Sequence, residues 1–361
     1  MRAKTYLIGF ICTVATTIVL LAFGDQRPKI QNLVSETHRQ LKDNFKTIKD
    51  KLEGGAENNR GGLYVDEKYL VLLGLAGDKQ RTYPDDVWSN TTLPVIVSYV
   101  SPAAISQAVG LVRNIGHFLP NHTLLLYNIG LSEDQLQTMA LYCNSSRCVI
   151  VKFDLSVFPP HVSDEHLHAF RPLIIQDAVS RSGAIFYLEN DQRLTTSDIS
   201  PLVQRASSQG VLTWRAAHPV TALTHPRMLR YFTVPSESFF FTHMVEATKL
   251  LLYNTAPLRQ GVMLPWVKCA LNHDCIFPLG AQSVGCRFDK KPNYRYSGCH
   301  GNDASALSVL LGLLFNSDTD EYSIQAEATT QSNGYFRRVD STEAALELSS
   351  MQDNSTDSTG L

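Results

Sequence analysis

The stretch AIFYLENDQRL, residues 184–194, decides the fold prediction. A short apolar run, AIFYL, leads directly into Glu189, Asn190 and Asp191. Such a run is typical of a strand buried in a parallel sheet, and these sheets bind ligands at the carboxyl ends of their strands. An acid-x-acid pair at that position predicts a divalent cation site, because hard cations prefer oxygen ligands. The alternative interpretation is a solvated turn after the strand.

The surrounding sequence alternates strand and helix signals. Helices are predicted from Ser101 and Pro102 to about His117, from the capping box of Ser132 and Gln135 to about Tyr142, and over 168–182. A further helix is predicted through SFFFTHMVEATKLLLYN, 238–254. Strands are predicted at 93–100, 122–128, 148–155, 184–188 and 210–214. Short apolar strands separated by helices predict an α/β fold with a mostly parallel, Rossmann-like sheet flanked by helices.

The amino terminus carries an uncharged apolar segment, residues 5–23, that is long enough to span a bilayer as a helix. We interpret it as a signal-anchor that follows a cytoplasmic tail of residues 1–4. A cleaved signal peptide is the alternative, since Arg2 and Lys4 precede the segment and a small-x-small site ends it at Gly24.

Sequons and cysteines place the rest of the chain in an oxidising lumen. Sequons begin at Asn90, Asn121, Asn144 and Asn354. Six cysteines lie outside the apolar segment and predict disulfides, with Cys143 and Cys148 paired by proximity and the other four unassigned. Zinc binding is the rival interpretation, but the sequence contains no CxxC pair.

Composition and charge bound the remaining regions. A net charge of −2 with 44% hydrophobic residues allows one substantial core and excludes an electrostatic nucleic-acid binder. Residues 24–62 carry apolar positions three or four apart, which predicts a helical stem and a homodimer formed through it. An amphipathic helix lying on the core is the alternative. Residues 317–361 lose apolar density and are predicted to be a disordered acidic tail.

Two segments carry a family resemblance. LHAFRPLIIQDAVSRSGAIFYLENDQRL, 167–194, resembles the part of GT-A glycosyltransferases in which a helix feeds the strand ending in an acidic metal motif. YSGCHGNDASALSVLLGLL, 296–314, is similar to a later segment of these enzymes, where a His or Asp near the donor opens a helix. With the anchor, stem and cysteines, the chain resembles an uncharacterised invertebrate family of type II membrane proteins related to these transferases. The resemblance implies a luminal GT-A-like domain over 63–316.

The resemblance also implies roles for individual residues. Asp191, Glu189 and His300 would hold Mn²⁺ or Mg²⁺ as a Lewis acid against the diphosphate of a nucleotide sugar. Glu189 replaces the first Asp of the usual motif, which puts metal dependence in doubt. Arg171 would contact the donor phosphate, and Asp303 would act as general base on the acceptor.

Structural alternatives accompany several of these assignments. Asp303 has a structural alternative, because acidic residues are favoured in the first turn of a helix. The alternative for His300 is a structural polar residue next to Cys299. The histidines of HVSDEHLH, 161–168, lack a recognised metal spacing. Trp266 and the phenylalanines 239–241 are candidates for an acceptor groove or for core packing.

The sequence therefore predicts a single-pass type II Golgi membrane protein that transfers a sugar from a nucleotide sugar to a glycan or glycoprotein acceptor. If the amino-terminal segment is cleaved, the protein is secreted. The alternative function is a catalytically inactive, glycosyltransferase-like luminal binding or partner subunit.

Overall fold

A computed structural model describes residues 63–77, 93–289, 291–325 and 334–356. All of these residues belong to one compact unit, 59–361. Within the described ranges no helix combines the length and apolarity needed to cross a bilayer. The predicted cytoplasmic tail, the signal-anchor 5–23 and the stem 24–62 lie outside the described residues.

The described residues form one large sheet and one small sheet. The large sheet has seven strands and the small sheet pairs two. Strand bounds are β1 Val95–Val100, β2 Leu124–Asn128, β3 Cys148–Lys152, β4 Ala184–Leu188, β5 Gln192–Leu194, β6 Val211–Pro219, β7 His243–Tyr253, β8 Ser323–Gln325 and β9 Phe336–Arg338.

The strand order in the large sheet is β3-β2-β1-β4-β7-β6-β8. The pairings from β3 through β4 are parallel, β7 runs antiparallel to both of its neighbours, and β8 is parallel to β6. The carboxyl ends of β1, β2 and β4 therefore meet at one edge. The predicted α/β class with a mostly parallel sheet flanked by helices is confirmed.

Helices and short helical turns connect the strands. The α-helices are α1 Glu67–Leu72, α2 Ile105–Phe118, α3 Glu133–Tyr142, α4 Phe170–Ser182, α5 Ser200–Gln209, α6 Val220–Leu223, α7 Pro226–Tyr231, α8 Ala256–Leu258, α9 Leu264–Leu271, α10 His273–Ile276, α11 Asn302–Leu314, α12 Thr319–Tyr322 and α13 Ser341–Thr356. The 3-10 turns are Leu155–Val157, Pro160–Ser163, Glu165–Leu167 and Ser236–Phe239, and a π-helical turn is Arg259–Met263. The predicted capping box is present, since the Ser132 hydroxyl accepts from the Gln135 backbone and the Gln135 side chain accepts from the Ser132 N–H.

Side chains alternate across the central strand and build a core on each face of the sheet. Ile185 and Tyr187 join the larger core, whereas Phe186 and Leu188 join the smaller one on the other face. This alternation follows from the period of two along a strand. It places Glu189, two residues after Tyr187, on the side of the larger core.

The predicted helix over 238–254 is wrong, because residues 243–253 form β7 between β4 and β6. The run Leu250–Leu252 is buried, and periodicity alone cannot separate a buried strand from a buried helix. Sheet pairing on both sides determines the strand.

The tail also differs from the predicted disorder of 317–361. Its described residues form α12, β8, β9 and α13. Phe336 packs its ring edge against Phe186 and Trp214, and Glu347 forms an ion pair with the buried Arg193. Packing and pairing with the preceding domain therefore order a segment whose composition alone predicts disorder.

Disulfides join Cys143 to Cys148, Cys269 to Cys275 and Cys286 to Cys299. The pair predicted from proximity is confirmed, and the other two pairings are those that the sequence left unassigned. The last disulfide joins the chain just before His300 to a loop that precedes it.

Candidate functional site

Glu189 lies directly after β4 and is held by two tyrosines. The Tyr99 hydroxyl donates to its Oε1 at 2.7 Å, and the Tyr187 hydroxyl donates to its Oε2 at 2.8 Å. Tyr187 shares the face of Glu189 because they are two residues apart on a strand, and Tyr99 comes from the neighbouring strand β1. The carboxylate is therefore fixed in place by the sheet itself.

Arg171, in the first turn of α4, joins two carboxylates that are far apart in sequence. Its Nε donates to Glu189 Oε2 at 3.1 Å, and its Nη1 donates to Asp303 Oδ2 at 2.6 Å. The side chains of Arg171, Glu189 and Asp303 are 4%, 8% and 1% exposed. The structure thus brings together three of the predicted site residues in one buried cluster.

The buried cluster has a strong effect on protonation. Burial raises the pKa of Asp303 to about 6, although Arg171 opposes the shift. Burial works to lower the pKa of Arg171, but Asp303 and Glu189 raise it well above its usual range. Burial and the Glu189 charge raise the pKa of Tyr99 and Tyr187, so both hydroxyls stay protonated and donate.

Asp191 is 8% exposed and has a partner on each carboxylate oxygen. Gln192 Nε2 donates to Oδ1 at 2.7 Å, and Arg338 Nε donates to Oδ2 at 2.5 Å. The Arg338 side chain is 78% exposed. Asp191, a predicted metal ligand, is therefore buried and contacts an exposed guanidinium from the carboxyl-terminal segment.

Two residues with left-handed backbone flank the cluster. His168 has a φ of 52° and Asn302 has a φ of 46°, in a region that residues other than glycine rarely adopt. His168 Nδ1 and Asn302 Oδ1 are buried without a hydrogen-bond partner. Burial and the neighbouring Arg171 lower the pKa of His168 to about 3, while Asp191 opposes the shift. Strained backbone and unpaired buried polar atoms commonly mark functional sites.

His300 is buried with both ring nitrogens in use. Its Nδ1 accepts the His225 backbone N–H at 3.2 Å, and its Nε2 lies 3.1 Å from the Ile276 carbonyl, to which it donates. Burial lowers its pKa to about 4, so the ring is neutral near pH 7. Within the described ranges, no group of three or more His, Cys, Asp and Glu side chains is placed to hold a metal ion. The metal roles of His300, Glu189 and Asp191 stay predictions.

Asp303 opens α11 and faces Arg171 in the interior. Its backbone carbonyl accepts the indole N–H of Trp266 at 2.9 Å, and Trp266 is fully buried. The general-base role of Asp303 stays a prediction, and its burial favours an electrostatic role beneath Arg171. Trp266 and Phe239 are core residues.

Phe240 and Phe241 line a surface pocket of about 480 Å³. Phe240 stacks on Tyr294 with ring centroids 4.2 Å apart, and Phe241 is 86% exposed. The other lining residues are Pro219, His243, Lys291, Pro292 and Asn293. Aromatic faces beside amide and ammonium donors suit a ligand with both apolar and hydroxyl surfaces.

The family described as Protein of unknown function (DUF1647) matches residues 69–176, which is less than half of the chain. No curated protein matches the sequence significantly. The matched segment contains Tyr99 and Arg171 and ends before β4.

Solved structures that resemble this chain include several glycosyltransferases. Mouse xyloside xylosyltransferase 1 is 12% identical, with 65% of this chain and 85% of that chain covered and a TM-score of 0.37. The S. cerevisiae mannosyltransferase Ktr4p, solved with GDP, is 12% identical, with coverages of 78% and 83% and a TM-score of 0.39. The galactosyltransferase LgtC, solved with donor and acceptor sugar analogues, is 13% identical, with coverages of 64% and 73% and a TM-score of 0.34. At these identities and TM-scores, the likeness carries no conclusion about activity.

Sequence analysis missed Tyr99, Tyr187, Asn302 and Arg338, and assigned no role to His168. Tyr187 could have been predicted from the strand pattern, because it lies two residues before Glu189 on the same face. The HVSDEHLH run drew attention to His168 but gave no role. Arg338 had no local signal, since it meets Asp191 across a separation of 147 residues.

Proposed function

We propose that this protein transfers a sugar from a nucleotide-sugar donor to a glycan or glycoprotein acceptor. The observation that carries the proposal is the position of Glu189 and Asp191 after β4, at the edge where the parallel strands end. Ligands of open α/β sheets bind at that edge. The buried Arg171, Glu189 and Asp303 cluster supports it, since rigid buried charges are typical of preorganised sites.

The protein's own side chains form a rigid charged cluster at the proposed donor site. Tyr99, Tyr187 and Arg171 hold Glu189 in one orientation, and Arg171 connects it to Asp303. When all three ionise, Arg171, Glu189 and Asp303 carry a net charge of about −1. The guanidinium of Arg338, which contacts Asp191, is an exposed positive group at this motif.

A divalent cation, if bound by Asp191, Glu189 and His300, would act as a Lewis acid on the donor diphosphate. The arrangement of these residues does not fit such an ion. The oxygens of Glu189 accept from Tyr99, Tyr187 and Arg171, those of Asp191 accept from Gln192 and Arg338, and both nitrogens of His300 are in use. We therefore assign no step to a metal.

The aromatic pocket of Phe240, Phe241 and Tyr294 supports a glycan acceptor. Because β7 is antiparallel to β4 and Lys249 pairs with Leu188, the start of β7 at His243 extends beyond the end of β4. With a rise of about 3.3 Å per residue, His243 lies about 20 Å past that end. The pocket that His243 lines therefore lies beyond the edge of the sheet at which β4 ends and Glu189 follows.

The cellular setting is proposed from the sequence. The apolar segment 5–23 would anchor the protein in the Golgi membrane as a single-pass type II protein. The stem, 24–62, would join two copies into a homodimer. The sequons and the three disulfides support an oxidising lumen as the location of the folded domain.

One observation favours the alternative, a non-catalytic luminal binding subunit. Asp303, the candidate general base, is 1% exposed and cannot contact an acceptor in this arrangement. A binding subunit would retain a nucleotide or glycan without turnover. Turnover measurements therefore separate the two functions.

A screen of nucleotide sugars tests the proposed transfer. Purified full-length protein in detergent is incubated with each donor, with and without oligosaccharide acceptors, in manganese and in EDTA, and release of nucleoside diphosphate is measured. We expect release with one donor, and expect Asp191→Asn to reduce it strongly while Asp198→Asn, on an exposed loop, leaves it unchanged. Nucleotide binding without release for any donor would favour the binding subunit. If the protein neither binds nor hydrolyses any of the donors, the proposed transfer is excluded.

A further inference from the structure

The guanidinium of Arg338 occupies the carboxylate that the sequence predicts to hold a metal ion. Arg338 Nε donates to Asp191 Oδ2 at 2.5 Å, and the Asp191 charge raises the pKa of Arg338. A guanidinium carries a permanent positive charge and several N–H donors in a planar fork. Asp191 therefore already has a cation, and that cation belongs to the protein.

Backbone pairing fixes Arg338 in this position. Strand β9 pairs antiparallel with β5, and Arg338 is opposite Gln192. The next residue, Val339, donates its backbone N–H to the Asp191 carbonyl at 2.8 Å. Arg338 is thus paired with Gln192, and Val339 is bonded to Asp191. These two backbone contacts fix the position of Arg338 next to the Asp191 carboxylate.

Side-chain packing anchors the same segment on both sides of Arg338. Phe336 meets Phe186 and Trp214 edge-on at centroid distances of 5.8 and 5.4 Å. In α13, Glu347 pairs with Arg193 at 3.0 Å, and the Arg193 side chain is 2% exposed. A buried arginine left without its carboxylate would be costly, so this contact holds α13 and β9 on the domain.

Most of the donor capacity of Arg338 faces outward. Its side chain is 78% exposed, and the hydrogen bond that its guanidinium makes within the described residues is the one from Nε to Asp191. The remaining N–H groups of the fork are free to meet a ligand. Paired N–H groups of this geometry suit two oxygens of a phosphate.

A divalent cation at Asp191 would compete with this arrangement. It would have to displace the charged Arg338 from Oδ2 or bind through Oδ1, which already accepts from Gln192. Both oxygens of Glu189 already accept hydrogen bonds, Oε1 from Tyr99 and Oε2 from Tyr187 and Arg171, so a metal ion would have to compete with these donors. The positive charge that a metal brings to other sites is present here on a side chain.

We propose that Arg338, positioned by Asp191, binds the diphosphate of the nucleotide donor directly, so that donor binding needs no divalent cation. This inference rests on the proposed transfer function and names the group that binds its donor. During transfer the bond from the sugar C1 to the β-phosphate oxygen breaks, and its electron pair stays on that oxygen, where the guanidinium stabilises it. The acceptor hydroxyl oxygen forms the new bond to C1 and loses its proton to water.

The test measures binding of UDP, GDP and ADP to the full-length protein by calorimetry, once in manganese and once in EDTA. We expect one of these nucleotides to bind equally well in both. Arg338→Ala should weaken that binding by about 10-fold or more, because hydrogen bonds to charged groups contribute about 1.5–3 kcal/mol. Arg337→Ala is the matched control, since its neighbouring guanidinium pairs with Glu343 and Glu347 and should not affect the nucleotide.

The possible outcomes distinguish a failure of the Arg338 proposal from a failure of the proposed sugar transfer. Binding in manganese that disappears in EDTA would overturn the role of Arg338 and leave the donor proposal intact. Unchanged affinity in folded Arg338→Ala would overturn it as well. If Arg338→Ala does not fold, the comparison of wild-type protein in manganese and EDTA still decides the question. Absence of binding to all three nucleotides in both conditions would overturn the inference together with the donor proposal.

Discussion

Arg171 and Asp303 are 132 residues apart in sequence, and their side chains meet at 2.6 Å with exposures of 4% and 1%. The contact joins the start of α4 to the start of α11, the two helices that carry the family resemblance. Arg171 also neutralises Glu189 at the end of β4. One guanidinium therefore fixes the relative positions of two helices and the central strand at the candidate site.

Replacing Arg171 with methionine should destabilise the protein strongly. The change leaves Glu189 and Asp303 buried without a cation, and loss of one partner from a buried ion pair costs about 3–5 kcal/mol. Chemical denaturation of the full-length protein measures the free energy of unfolding. Arg287→Met is the control, because Arg287 and its partner Asp289 are 66% and 74% exposed and stay solvated, so its loss should have little effect. Equal losses in the two variants would show that the buried cluster is not a major source of stability.

Removing the Tyr187 hydroxyl should weaken nucleotide binding as well as stability. Tyr187→Phe deletes a hydrogen bond to the Glu189 carboxylate, worth about 1.5–3 kcal/mol, and lets that carboxylate reorient. Tyr127→Phe is a matched control, since Tyr127 donates to the buried Asp177 at 2.8 Å and not to Glu189. We expect both variants to lose similar amounts of thermal stability. Only Tyr187→Phe should also lose nucleotide affinity. Equal affinities in both variants would contradict a positioning role for Tyr187.

Acidification should destabilise the folded protein between about pH 6.5 and pH 4. Burial lowers the pKa of His168 to about 3 and of His300 to about 4, so the unfolded chain binds two protons that the folded protein does not. Asp303 acts in the opposite direction, because its raised pKa of about 6 lets the folded protein bind a proton first. Together these three groups lower the free energy of unfolding by on the order of 1 kcal/mol for each pH unit of acidification.

Two variants check the sign of this dependence in thermal unfolding from pH 7 to pH 4. Asp303→Asn removes the opposing group and should steepen the loss of stability. His300→Gln keeps a donor and an acceptor but no longer titrates, so it should make the loss shallower. The opposite order of slopes would contradict the assigned protonation states.

The sequence predicts the parallel half of the sheet well because each strand there is a short apolar run between clear helix signals. It fails at β7, where LLLY reads equally well as helix and only pairing with β4 and β6 decides. The local pattern predicts Glu189 and Asp191, and the family resemblance adds Arg171 and Asp303. The sequence cannot find Arg338, whose position depends on β9 returning across the chain to β5 in a segment of disordered composition.

Truncating Phe241 should affect the acceptor and leave the donor unchanged. Phe241 is 86% exposed at the aromatic pocket, so Phe241→Ala removes a stacking surface for a sugar without opening a cavity in the core. We expect an increase of about 2- to 12-fold in the KM for an oligosaccharide acceptor, the range given by about 0.5–1.5 kcal/mol for an aromatic contact, with donor hydrolysis unchanged. Leu141→Ala is the matched control, because Leu141 is a similarly exposed apolar residue, at 73%, on α3. An unchanged acceptor KM in Phe241→Ala would place the acceptor elsewhere, and a parallel loss of donor hydrolysis would show that the pocket serves the donor.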